Sequence, residues 1–344
     1  MALGVLVSLI TVSTGLGSKY AIKNRLADFG GEITVKSTRS NISYNSSVLN
    51  SDGLNVAKLR AIEGVSGLNK FVTASGILRT ENNFSGIIFK GIGKDFDHER
   101  FKKFLVEGTT PKITEKGFNM DIALSQKIAK DLSKKVGDSV IAIFSKENQK
   151  PLYRKFKIVG IYKTDIKMID DLYVIGGINH ARKILGMKPQ EVGGYEIFLK
   201  NNNNVDEVFS KIESLIGYRN YADKITDLYP QIVDWINIFD TNIALIITIM
   251  LIVVVTNIIM VLLILIIERT NSIGMLKTFG ASNAQIRTIF INYTLLIMVP
   301  GLIAGNVIGL GLLMLQKFFG IIRLNPENYY VSEVPEIGRA SCRE

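Results

Sequence analysis

Cysteine and histidine are nearly absent from this 344-residue chain, which has one Cys and two His. A single Cys342 rules out both a disulfide framework and a cysteine-based zinc site; such scarcity suits an exported domain without disulfides and a cytosolic protein alike. His98 and His180 are isolated, with no H-x-x-x-H or H-E-x-x-H spacing, so each is expected to be a surface or core residue and not a ligand. Basic blocks are missing too. The formal net charge of +10 invites a nucleic-acid reading, but Lys and Arg are scattered among Asp and Glu without interleaved aromatics, which argues against that partner.

Enzyme signatures are absent. No G-x-x-x-x-G-K-[ST] occurs; Gly91-Ile-Gly-Lys94-Asp95 lacks the spacing and the hydroxyl ligand, and Lys90 to Lys94 reads as a strand ending in a turn. There is no G-x-S-x-G elbow. Asp170 and Asp171 are adjacent, would face opposite ways on a strand, and read as solvated turn residues. No catalytic, cofactor or metal site is predicted.

Charge is also missing from long stretches, and there the chain becomes informative. It is 47% hydrophobic, but the apolar residues concentrate at the N-terminus and after Ile243. Residues 1–17 carry no charge and would span about 26 Å as a helix, slightly short of a bilayer core of about 30 Å. No basic n-region precedes them, so a partial first transmembrane helix is the reading, with a signal peptide as the alternative. Asp240-Thr-Asn introduces a second span, Ile243 to Ile267, roughly 37 Å of helix at about 1.5 Å per residue. A third follows from Ile289 to about Leu315. Between them, Arg269, Lys277 and Arg287 face only Glu268, which assigns that short loop to the cytoplasm.

Residues 18–240 alternate strand-like and helix-like pieces, and an α+β external domain of two lobes is expected. Strand candidates are Gly31–Lys36, Ser85–Lys90, Ser139–Phe144, Phe156–Tyr162 and Tyr195–Leu199. Helix candidates are Asn55–Ile62, ended by Gly64 to Gly67, then Ile122–Leu132, Ile178–Leu185 and Val205–Leu215. The Asn201–Asn204 tract reads as a loop and cap.

The cytoplasmic loop is the strongest constellation. Asn271 or Ser272 can cap a helix running to Phe279, and Gly280 can supply a left-handed stop. Ile273 and Leu276 are three apart, Met275 and Phe279 four apart. A helix this short needs a surface to pack on: either the membrane interface or a groove on a partner subunit. In the third span, Gly301, Gly305 and Gly309 form a doubled G-x-x-x-G that suits a close helix–helix contact. Asn257, polar at bilayer depth, is expected to face another helix.

The run Glu268-Arg-Thr-Asn-Ser-Ile-Gly-Met-Leu-Lys-Thr-Phe-Gly-Ala-Ser282 resembles the junction between second and third spans in FtsX-like and MacB-like permeases, in the form carried by lipoprotein-releasing members of Bacteroidota-type bacteria. Lys90 to Asp97, Leu105 to Gly108, Phe156 to Tyr162 and Tyr329 to Pro335 add to the resemblance. It implies an α+β periplasmic domain (two lobes, a MacB-like core) inserted between transmembrane α-helices. The implied division is 1–17 partial first transmembrane helix, 18–240 periplasmic core, 241–267 second helix, 268–288 cytoplasmic loop with a coupling helix, 289–315 third helix and 316–336 a periplasmic segment before a fourth helix. Residues 337–344 match, codon for codon, a reading frame of a sequencing-library adapter, and are expected to be foreign to the natural sequence.

The resemblance further implies an inner-membrane, multi-pass permease subunit without its own nucleotide site, ATP being bound by a partner ABC ATPase. Its ATPase-coupling residues would be Glu268, Arg269, Ile273, Met275, Leu276, Lys277, Phe279 and Gly280. Other implied partners are a second permease copy or paralogue, lipoprotein cargo, a periplasmic lipoprotein chaperone and the membrane. The expected activity is ATP-driven release of lipoproteins from the inner membrane. The alternatives are a MacB-like efflux or peptide-export permease and, from another class, a membrane-anchored sensor or adhesion protein.

Overall fold

The structure, a computed structural model, describes residues 2–39, 44–49, 54–114, 117–145, 150–200 and 204–319. The expectations for Asn201 to Asn203, for residues 320–336 and for the adapter-like tail lie outside the described residues. In chain order the first elements are α1 (Ala2–Gly30), β1 (Ile33–Ser37), α2 (Val56–Arg60), β2 (Val65–Arg79), β3 (Phe84–Ile92), α3 (His98–Lys102) and β4 (Leu105–Gly108). Next come β5 (Asp121–Ser125), α4 (Gln126–Asp131), β6 (Ser139–Phe144), β7 (Leu152–Tyr162), α5 (Lys167–Asp170), β8 (Tyr173–Gly177) and α6 (Ile178–Leu185). The last are β9 (Gly194–Leu199), α7 (Val205–Leu215), β10 (Asn220–Lys224), α8 (Ile225–Leu228), α9 (Pro230–Glu268), α10 (Thr270–Thr278) and α11 (Asn283–Phe319).

The described chain divides into two compact units, a sheet unit of residues 22–230 and a helical unit of residues 2–21 and 231–319. In the sheet unit ten strands run in the order β10-β1-β9-β2-β3-β8-β5-β7-β4, with β6 pairing to β2 and β7. The β3–β8 and β5–β7 pairs are parallel. Two lobes emerge as two apolar clusters on this one sheet. Ile33, Val35, Ile197, Val208 and Ile212 anchor one; Phe89, Leu124, Phe144, Phe156 and Ile158 anchor the other. The long strand β2 serves both, giving Val65 and Leu68 to the first and Val72, Ala74 and Leu78 to the second.

Several elements differ from those expected from the sequence. The expected helix Asn55–Ile62 is shorter, Val56–Arg60, and ends before Gly64 as expected; the segment taken as its end also opens β2, which starts at Val65 and carries Gly67 at a register shift, where a strand glycine commonly marks a bulge. The expected helix Ile122–Leu132 splits: Ile122, Ala123 and Leu124 are buried in β5, and the Ser125 hydroxyl accepts from the Ile128 amide at 3.1 Å to start α4. Asn204 occupies the N-cap position of α7 but makes no side-chain cap bond. Asp170 is not a solvated turn residue. It is buried, and its carboxylate accepts from the Thr164 amide and hydroxyl and from the Asp165 amide.

The helical boundaries also move. Lys19 to Gly30 continues α1, because Ile22, Leu26 and Phe29 recur at helical spacing and are buried in the sheet unit. Asp240 does not introduce the second span but lies inside α9, which starts at Pro230, a residue suited to the first helical position. The third helix begins six residues before Ile289, at Asn283. Three helices, α1, α9 and α11, are long and apolar enough to cross a membrane.

Candidate functional site

The α9–α11 connection ends in a helix stop followed at once by a helix start. Helical bonding runs through the junction of α9 and α10, the Arg269 amide donating to Leu265 and the Ile273 amide to Arg269, each at 3.0 Å. Neither Asn271 nor Ser272 caps α10 as expected; the helix starts at Thr270, whose hydroxyl donates to the carbonyls of Ile266 and Ile267. At the other end Gly280 has φ +89, the Ala281 amide donates to Leu276 and the Gly280 amide to Lys277. That pair of bonds around a left-handed residue is a Schellman motif. Immediately afterwards the Ser282 hydroxyl accepts from the Gln285 amide at 3.3 Å, while the Gln285 side chain accepts from the Ser282 amide at 2.9 Å. This capping box opens α11 and was legible as S-x-x-Q, though the sequence reading passed over it.

Continuous with α9 at its start and stopped at Gly280, α10 buries no residue. Phe279 is 87% exposed, Met275 60% and Leu276 38%. Leu276, Phe279, Ala281, Ala284 and Ile289 line a groove beside the turn. Glu268, Arg269 and Lys277 are exposed around this apolar face, and Ile273 is half-buried.

Within the helical unit, α11 meets α1 through its glycines. A Cβ on Gly305 would stand 2.6 Å from the Ala2 carbonyl oxygen, and one on Gly309 would lie 3.3 Å from Leu9. Both are buried, while Gly301 is half-buried. Asn257 faces no other helix among the described residues; it lies on the exposed side of α9. Gly4, Val5 and Leu9 of α1, Met250 and Val254 of α9 and Leu310 of α11 line an apolar cavity of about 810 Å³. Lys19 and Asp240 join α1 to α9 by an ion pair at 2.6 Å.

The FtsX-like permease C-terminal family matches residues 244–335, and the MacB-like periplasmic core domain matches residues 1–215. The chain belongs to the FtsX-like, MacB-like family of ABC-transporter permeases. Among its relatives is the lipoprotein-releasing system transmembrane protein LolE of Haemophilus influenzae, 25% identical over 72% of this chain and 60% of its own length. The LolC protein of the same organism is 21% identical over 69% of this chain and 58% of its own length. The chain thus spans about three fifths of these relatives. The extracellular domain of the noncanonic ABC-type transporter YknZ from Gram-positive bacteria aligns at TM-score 0.38 and 15% identity, covering 56% of this chain and 99% of that domain. The periplasmic region of MacB from Actinobacillus actinomycetemcomitans gives TM-score 0.38 and 17% identity over 58% and 91% of the two chains.

In the sheet unit of this permease the last turns of α1 are gripped by charge. Arg25 donates to the Thr164 carbonyl at 3.1 Å and pairs with Asp165; Asp28 faces Arg100 and Lys103. Burial pushes the Asp165 carboxyl up, but Lys163 and Arg25 outweigh it and hold the group below the usual range. Lys90, which the sequence reading left in an ordinary strand end, is buried. Its ammonium donates to the Phe29 carbonyl at 3.0 Å and pairs with Glu196 at 2.6 Å. Placing a cation on the carbonyl end of a helix suits the helix dipole. No sequence pattern pointed to Arg25, Lys90 or Glu196, because their partners are up to 140 residues away. His180 is a core residue beside Phe89 and Phe156. Among the described residues no group of three His, Cys, Asp or Glu could hold a metal ion.

Proposed function

We propose that this chain is the membrane-embedded subunit of an inner-membrane ABC transporter that releases lipoproteins, driven by a separate ATPase that docks on α10. The observation that carries this reading is the exposed face of Met275, Leu276 and Phe279 on a helix fixed at both ends between two membrane-length helices. A nine-residue helix with nothing buried gains too little from its own hydrogen bonds to persist alone, so a partner surface completes it. Arg269, Lys277 and Arg287 against Glu268 support a cytoplasmic turn. The membrane-length run of α9 then leaves the sheet unit on the periplasmic side.

The cargo assignment is supported by the relatives named as lipoprotein-releasing proteins, and the apolar cavity of about 810 Å³ suits an acylated cargo. A periplasmic lipoprotein chaperone would then receive the released molecule. Asn257, polar and exposed at bilayer depth, supports a helix contact with a second permease copy or a paralogue.

Reconstitution with the ATPase in proteoliposomes tests the reading: ATP should release an acylated lipoprotein and leave an unacylated peptide unmoved. ATP-dependent export of the unacylated peptide instead would favour the efflux reading, which the match of residues 1–215 to the MacB-like core keeps in view. A membrane-anchored sensor or adhesion protein predicts that no ATPase co-purifies through α10.

A further inference from the structure

One face of the sheet is not used by the apolar clusters. Lys36 pairs with Tyr221 and Gly194, Thr34 pairs with Glu196, and Thr73 pairs with Lys90. Directly opposed residues share a face, so this side of β10, β1, β9, β2 and β3 is polar, while Ile33, Val35 and Ile197 point the other way into their cluster. Over the polar face lies a cavity of about 260 Å³, bordered by Phe29 and Gly30 of α1 and by Ile225, Leu228 and Tyr229 at the end of the sheet unit.

The cavity lining holds one more ammonium than carboxylate. Of its two ammonium groups, Lys90 is satisfied by Glu196 and the Phe29 carbonyl. Lys36 makes no side-chain hydrogen bond or ion pair among the described residues; burial pushes its ammonium down, Lys90 adds to this, and Asp223 and Glu196 offset it only in part. Asp223 lies on the same face but outside the cavity lining. The lining thus carries two ammonium groups against one carboxylate.

Shape adds a second constraint. A Cβ on Gly194 would stand 2.6 Å from the Val35 carbonyl oxygen and 2.8 Å from the Phe71 ring, and one on Gly193 would strike Ser46. Glycine at both positions lets Phe71 lie low and keeps the floor open. Phe29, Phe71 and the hydrogen-bonded Tyr173–Tyr229 pair supply flat apolar walls with hydroxyl tips. The volume is just below the ~300 to 1,000 Å³ typical of pockets for drug-sized ligands, so a smaller molecule fits.

We propose that this cavity is a binding site for a small organic monoanion, a carboxylate on a compact ring or branched body. The carboxylate pairs with Lys36 and the body lies against Phe29 and Phe71. A monoanion is favoured over a phosphate dianion because the lining holds only one ammonium more than it holds carboxylates, and a second negative charge would sit uncompensated near Glu196 and Asp223. The bound molecule would touch both the last turn of α1 and the residues leading into α9, tying together the two segments through which the chain passes into and out of the sheet unit.

Calorimetric titration of the full chain in detergent micelles with sodium benzoate tests this, with benzamide and inorganic phosphate as comparisons. Benzoate should bind, and benzamide and phosphate should bind at least about tenfold more weakly, the equivalent of about 1.4 kcal/mol. Lys36→Met should lose about tenfold in benzoate affinity with the melting temperature kept, and Lys36→Arg should retain binding; the variants also cancel any partition of benzoate into micelles. No benzoate binding by the unmodified chain, or equal binding by Lys36→Met, overturns the proposal. If Lys36→Met fails to fold, equal affinity for benzamide and benzoate overturns it in its place.

Discussion

The amide of Ala281 donates to the carbonyl of Leu276 at 3.0 Å, closing α10 just beyond the exposed Phe279 at its C-cap. Because Ser282 begins the capping box of α11, the apolar face of α10 is tied to a membrane-length helix with no slack residue between the two motifs. A force applied at Leu276 or Phe279 therefore reaches α11 through hydrogen-bonded backbone.

Gly280→Ala should weaken this link. A side chain at φ +89 costs about 1 to 2 kcal/mol, which α10 can avoid only by giving up its Schellman bonds. Gly274→Ala, at a helix position where a Cβ meets nothing, should instead favour helix by about 0.5 to 1 kcal/mol. ATPase stimulation by the reconstituted permease should fall for the first and hold for the second.

Gly305→Val should separate α11 from α1, since its Cβ would press on the Ala2 carbonyl oxygen at 2.6 Å. Gly311→Val, six residues on and in open space, is the control. A lower melting temperature in detergent for the first variant alone is the expected outcome, with a cost of about 1 to 3 kcal/mol for overpacking.

These glycines show where the sequence was legible. Spacing, charge bias and apolar length are local, so α10, its glycine stop, the three long helices and strands such as Ser139–Phe144 could be read directly. What stayed hidden was non-local. β2 reads poorly because it is a long strand shared by two clusters and interrupted by glycine, and β5 mimics the start of a helix until Ser125 caps α4. Lys90 and Glu196 meet only because β3 and β9 flank β2, one on each side, which no spacing in the chain announces.

Removing one member of that pair leaves the other charge buried. Lys90→Met should destabilise the sheet unit by about 3 to 5 kcal/mol, and adding Glu196→Leu should recover part of the loss. Urea unfolding followed by tryptophan-independent far-UV dichroism measures both.

His180 sets a pH dependence. Burial pushes its imidazole down, opposed by the Asn119 carbonyl at 2.9 Å and reinforced by Arg154 and Lys183. Its other ring nitrogen has no partner, so the neutral form with the proton on Nε2 is the one that fits. As pH falls below the unfolded value of about 6.5, the unfolded chain takes up a proton that the folded chain refuses, and stability drops by up to about 1.4 kcal/mol per pH unit until the folded value is reached. Buried carboxyls raised by desolvation, such as Asp170 and Glu196, act with the opposite sign, so the informative quantity is the difference between the parent and His180→Phe. The melting temperature of the variant should lose less than that of the parent between pH 7 and pH 5.

The central claim is that α10 receives the ATPase, and charge placed on its exposed face tests it most directly. Leu276→Glu and Phe279→Asp replace side chains that are exposed among the described residues, so each variant should insert and melt as the parent does. ATPase co-purification and ATP-driven lipoprotein release should both be lost in the reconstituted transporter. Retention of both activities by either variant, at parental levels, would contradict the account.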